Sequence, residues 1–266
     1  VKGDAGMRID AHMHVAGRQV SVGWRGKWTD DRAVIEAADR LGIDRLCCSI
    51  PIQTPVARHT PDDVRAVNDS LLYAMSRFPG RILGYAYLTP GFQKEALAEM
   101  DRCILKHGMI GVKLYNQYKC WDPVVLPIVE RTVELGVPIL HHGGHQTPVA
   151  ERTPQPNRSD SADFARLARI YPEATIIEGH PIVGDWAWSL KVLRDVPNVY
   201  IDTSGSLVDD GFVETAVREL GERRVLFGTD TYMEEGVGKI LGARITERQR
   251  ERVFGKNMED ILKRRK

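Results

Sequence analysis

The sequence predicts a single α/β domain, a (β/α)8 TIM-like barrel spanning residues 1–266. Three observations predict it. Short apolar runs of strand length recur eight times, separated by stretches of helical periodicity, and that alternation implies a parallel sheet. Eight parallel strands are enough to close a barrel, and such barrels commonly run to about 250 residues. No Pro/Gly/Ser-rich linker interrupts the alternation, so one domain is expected rather than two. The rival, an open doubly wound sheet, needs a glycine-rich turn after its first strand; His12-Met13-His14 stands there instead.

Arg8-Ile9-Asp10-Ala11-His12-Met13-His14-Val15 reads as the first strand, followed by a Gly/Trp-rich loop over 17–29. A helix opens at Asp30-Asp31, since Ala33, Val34, Ala37, Ala38 and Leu41 fit the 3.6 period, and Gly42 ends it. Residues 45–50 form the second strand, and Thr60-Pro61 starts a helix running toward Phe78. The third strand covers 82–88, with a helix over 93–107 behind it. Strands over 110–114, 138–142, 175–178, 198–202 and 224–228 alternate with helices over 123–135, 159–170, 184–194 and 209–220. A long polar loop, 143–157, follows the fifth strand, and an amphipathic helix over 246–263 closes the chain.

A formal net charge of +1 gives no sign of a nucleic-acid partner. No apolar run approaches the roughly 20 residues that span a bilayer, and no signal peptide is read in residues 1–6, so a cytoplasmic protein is expected. Cys47, Cys48, Cys103 and Cys120 include no Cys-x-x-Cys pair and read as reduced core thiols.

Side chains alternate along a strand, so His12 and His14 point the same way and can grip one metal ion. Later strands strengthen this reading. In a parallel barrel the strand C-termini converge on one face. His14, Lys113, His142 and His180 end strands one, four, five and six, and Asp230 follows strand eight. Each alone would pass for an ordinary satisfied polar residue; together they point to a metal site at the C-terminal ends of the strands.

The chain resembles the amidohydrolase superfamily, in the amidohydrolase-related branch that includes aminocarboxymuconate-semialdehyde decarboxylase and pyrone-dicarboxylate lactonase. The resemblance rests on Ile9-Asp10-Ala11-His12-Met13-His14, Gly111-Val112-Lys113-Leu114, Val137-Pro138-Ile139-Leu140-His141-His142-Gly143-Gly144 and Glu178-Gly179-His180-Pro181. Asn198 to Ser204, Leu226-Phe227-Gly228-Thr229-Asp230 and Gly255-Lys256-Asn257-Met258 continue it in the same order. It implies a distorted barrel with a divalent metal, zinc above others, held by His12, His14, His142 and Asp230. His141, by alternation, faces the helices, and His145 lies in the following loop as a substrate contact or a solvated residue. His180 and Lys113 admit two readings. With one ion, the favoured reading, His180 is a catalytic helper. With two, Lys113 carries a carboxylate that bridges them and His180 binds the second.

An ion so held lowers the pKa of a water from 15.7 to about 7, with Asp230 as general base and acid and His180 as an oxyanion or leaving-group partner. The first expectation is therefore a metal-dependent hydrolase of a small ester, lactone or amide. The alternative is a metal-dependent decarboxylase of a carboxylated aromatic or unsaturated acid. The expected partner is a small-molecule substrate, and a homo-oligomer is compatible with the sequence. Arg18, Trp24, Arg25, Trp28, Arg58, Lys119, Arg152 and Arg158 are candidates to hold a planar or anionic substrate. A barrel that only binds a metabolite, or a metal sensor, would not need Asp230 together with the complete histidine set.

Overall fold

The computed structural model describes residues 6–18, 30–52, 59–144, 155–205 and 208–266. Its strands are β1 (Ile9–His14), β2 (Arg45–Ser49), β3 (Ile82–Tyr87), β4 (Gly111–Leu114), β5 (Ile139–His142), β6 (Ile176–Gly179), β7 (Val199–Asp202) and β8 (Val225–Leu226). They form one parallel sheet in sequence order. The seam between β8 and β1 is closed by backbone bonds: Ala11 N donates to Phe227 O at 2.8 Å and Asp230 N to His12 O at 2.8 Å. The barrel expected from the alternation is the fold observed.

The helices are α1 (Asp31–Arg40), α2 (Pro61–Arg77), α3 (Gln93–Asp101), α4 (Leu126–Leu135), α5 (Ser161–Ile170), α6 (Trp186–Leu193), α7 (Phe212–Leu220), α8 (Met233–Gly242), α9 (Glu247–Glu251) and α10 (Asn257–Leu262). Local chemistry starts several of them. Thr60 and Asp63 form a capping box at α2, with Pro61 in the first turn, and Asp160 and Asp163 form another at α5. Each such cap is worth about 1 kcal/mol. The Arg102–Lys106 π-helical turn extends α3 across the expected span, and Arg252–Lys256 likewise joins α9 to α10.

Two differences from the expectation have physical causes. The sequence predicts no helix at α8, where Gly236, Gly238 and Gly242 lie, each weakening a helix by about 1 kcal/mol relative to alanine. Packing overrides that: Met233, Val237 and Ile240 are buried. Strand β8 is shorter than the apolar run because the chain leaves the ladder early. Phe227 N turns to Val253 O, 2.9 Å, and Thr229 N turns to His12 O, 3.2 Å.

The core has two layers. Ile9, Ala11, Cys47, Tyr85, Leu140, Ile177, Tyr200 and Leu226 fill the barrel, and Met258 and Ile261 of α10 pack beneath them. A larger apolar layer lies between strands and helices. All four cysteines are buried and free. Among the described residues no helix is long and apolar enough to cross a membrane.

Candidate metal centre

Asp10 ties the first strand to the last just beside the site. Its carboxylate accepts from His12 N at 3.0 Å, Thr229 N at 3.1 Å and Thr229 Oγ1 at 2.6 Å. Burial pushes this carboxyl up to about 7, opposed by the Thr229 hydroxyl and both backbone donors. With Asp230 N bound to His12 O, the seam carries Asp230 over the β1 histidines.

His12, His14 and Asp230 offer ligand atoms that all lie within 4.8 Å of one another. Asp230 Oδ1 stands 2.9 Å from His14 Nε2 and 3.9 Å from His12 Nε2. Both histidines are buried, while the Asp230 side chain keeps 26% exposure, so the trio opens to the rim. Glycines make the approach close enough. A Cβ on Gly179 would stand 3.1 Å from His12 Cε1, and one on Gly228 3.2 Å from His12 Cβ. His180 (φ 64) and Asp230 (φ 47) adopt left-handed backbone conformations unusual for non-glycine residues. Each costs on the order of 1–2 kcal/mol, and such strain concentrates at functional sites.

Other expected residues surround the trio without joining it. Lys113 Nζ, fully buried, lies 2.9 Å from His12 Nε2. The His180 ring centroid is 4.7 Å from that of His12, and its Nε2 is 3.8 Å from Asp230 Oδ2. His142 stands one ring further out. Its centroid is 4.6 Å from His180 and 4.2 Å from Tyr115, and its Nε2 is 3.3 Å from an Arg158 nitrogen. His141 faces the other way, against Phe164 of α5, as alternation predicts. His145, Trp24, Arg25, Trp28, Arg58 and Arg152 lie outside the described residues. Lys119 is engaged with Asp163 at 2.6 Å, and the Arg18 guanidinium stacks on Tyr73 at 4.2 Å. Of the proposed substrate cations described, Arg158 is the one in contact with a site histidine.

Two further residues of the Asn198 to Ser204 segment, with no role evident from the sequence, stand behind the histidines. Asp202 Oδ2 lies 2.7 Å from His12 Nδ1, and Ser204 Oγ lies 3.2 Å from His12 Nδ1 and 3.0 Å from His180 Nδ1. The available signal was an acid closing the apolar run Val199-Tyr200-Ile201, the same pattern that marks the other strand ends.

The electrostatics suit a cation. Burial pushes His12 down to about 3, assisted by Lys113 and opposed by Asp202. Burial likewise lowers His142 and His180. Burial acts to raise Asp230, but His180, His14 and His12 outweigh it and hold the carboxyl well below its usual range. Neutral imidazoles beside an ionised carboxylate are the donor chemistry of a divalent metal site. His14 Nδ1 lies 3.0 Å from Ser49 O, an acceptor only.

Solved structures similar to this chain share its fold at low identity. The 2,6-dihydroxybenzoate decarboxylase from Rhizobium is 19% identical, with a TM-score of 0.74 over 97% of this chain and 99% of that one. A dihydroxybenzoic acid decarboxylase from Polaromonas, solved with manganese and 2-nitroresorcinol, is 20% identical, with a TM-score of 0.71 over 97% of each chain. The 4-oxalomesaconate hydratase from Rhodopseudomonas palustris is 17% identical, with a TM-score of 0.69 over 97% and 96%. No curated protein matches the sequence. The Amidohydrolase family matches residues 9–264, nearly the whole chain, and the protein belongs to that family.

Proposed function

We propose that this protein is a divalent-metal-dependent enzyme that releases carbon dioxide from a small carboxylated aromatic or unsaturated acid. The observation that carries the metal reading is the His12, His14 and Asp230 trio at the strand ends, with ligand atoms within 4.8 Å. Similar structures include two decarboxylases and a hydratase, which favours decarboxylation over the hydrolysis that the sequence placed first. The imidazole-rich donor set suits zinc, and manganese is the ion named for the Polaromonas enzyme. We retain His142 as the proposed fourth ligand.

The ion, when bound, supplies a Lewis acid beside the substrate's polar oxygens. The rest falls to the chain. Asp230, ionised at neutral pH, takes the proton of the substrate's acid group and delivers it to the carbon as the bond to the departing carbon dioxide breaks. Arg158, on the same rim as His142, holds an anionic group of the substrate as a guanidinium pairs with a carboxylate. Lys113, its pKa pushed down to about 8 by burial and supported by Asp230 and Asp202, adds positive charge beneath the substrate.

Metal-reconstituted protein incubated with dihydroxybenzoates, carboxylated unsaturated acids, lactones and amides tests the reading. Carbon dioxide release with one of the acids is expected. Acid release from lactones or amides alone would restore the hydrolase.

A further inference from the structure

The Asp202–Ser204 pair is absorbed by no step above, yet it touches both histidines that flank Asp230. Its hydrogen bonds can be directed without ambiguity. A carboxylate only accepts. Asp202 Oδ1 therefore accepts from His180 N at 3.2 Å, Ser204 N at 3.0 Å and Ser204 Oγ at 2.6 Å. Oδ2 accepts from His12 Nδ1 at 2.7 Å. Ser204 has one hydroxyl proton, and Asp202 takes it. The hydroxyl oxygen can then only accept from His180 Nδ1, 3.0 Å away. At the far edge of the His12 ring, Lys113 Nζ is a donor 2.9 Å from Nε2, which independently requires a lone pair there.

We infer that Asp202 is a positioning residue that, with Ser204, locks both His12 and His180 in the Nδ1–H tautomer and turns both Nε2 lone pairs toward Asp230. The inference rests on the metal reading for its use but not for its geometry. It assigns His180 a definite face: in its neutral form it meets the site as an acceptor or ligand and not as a proton donor. It also makes the His12 lone pair depend on β7. Partners of this kind orient metal-binding histidines, and losing one lowers metal affinity by about 10–100-fold.

Asp202→Asn is the discriminating variant. Two backbone N–H groups and the Ser204 hydroxyl point at Oδ1, so the amide oxygen of the variant must stay there. Its NH2 then faces His12 Nδ1 and donates to it, forcing the proton onto Nε2. Ser204→Ala leaves the 2.7 Å Asp202–His12 bond in place while removing the acceptor of His180 Nδ1 and one of the three donors to Asp202 Oδ1. The readouts are titration of metal-stripped protein with zinc and with manganese, thermal melts, and long-range ¹⁵N–¹H correlation spectra of the imidazoles. The expected results are a folded Asp202→Asn protein with affinity down at least tenfold and His12 protonated at Nε2, and Ser204→Ala near wild-type affinity. Wild-type affinity in Asp202→Asn, or His12 still protonated at Nδ1, overturns the inference. Should Asp202→Asn fail to fold, the metal-stripped wild-type spectra decide: Nδ1–H on both rings is required, and Nε2–H on either contradicts it. Failure of the metal reading would look different, with no ion taken up by the wild type while the tautomers stand as stated.

Discussion

Lys113 Nζ lies 2.9 Å from His12 Nε2, the nitrogen that faces Asp230. The two readings of Lys113 predict opposite effects from this contact. A plain ammonium donates to the His12 lone pair and so competes with an ion for it. A carboxylated lysine would supply oxygens that bridge two ions. We therefore expect Lys113→Met to bind one divalent ion at least as tightly as the wild type, measured by titration in the presence of bicarbonate. Loss of the ion, with recovery on adding short carboxylates, would establish the bridging form.

Asp230 is held ionised although burial acts against it. Asp230→Asn keeps a ligand oxygen and removes the base. Turnover of the identified substrate should fall by about 10²–10⁴, with the melting curve close to wild type. Turnover unchanged within a few fold would move the proton-handling role to another residue.

Arg158 stands beside His142 at the rim. Arg158→Gln removes a charged donor, a loss of about 1.5–3 kcal/mol for a hydrogen bond to a charged group. KM should rise about 10–100-fold with kcat changed far less, the signature of lost substrate binding. An equal fall in kcat would assign Arg158 to the chemical step.

Glu178 is fully buried under Ser161, whose hydroxyl bonds both carboxyl oxygens at 2.8 and 2.9 Å. Burial pushes its pKa from 4.5 up to about 8, with Ser161 opposing and Asp160, Asp202 and Asp163 adding to the rise. The folded state keeps this proton where the unfolded state has released it. Wild-type stability should thus fall as pH rises from 4.5 to about 8, by at most ~1.4 kcal/mol per pH unit. Glu178→Gln carries no such proton, so its stability relative to the wild type should improve across that window and stay at a constant offset below pH 4.5. Parallel melting curves for the two proteins from pH 5 to pH 8 would show that Glu178 titrates normally.

Much of this was legible because a barrel converts local pattern into position. Each apolar strand ends on the same face, so His14, Lys113, His142 and His180 were placed by their strand ends alone. What escaped depended on contacts across the ring. Asp202 acts on His12 across 190 residues of sequence, and no spacing rule links them. The compact trio drawn by the seam of β8 and β1 excludes His142, a distinction set by how far Asp230 folds over His12. Helix α8 was hidden by its own glycines, since its stability comes from packing Met233, Val237 and Ile240.

The central claim is a divalent ion on His12, His14 and Asp230. The most direct measurement is elemental analysis of the purified protein and its His12→Ala variant, paired with anomalous diffraction to locate the ion. The account predicts about one zinc or manganese ion per chain, seated between these three side chains, and none in the variant. An ion bound elsewhere, or equal metal content in the variant, would contradict it.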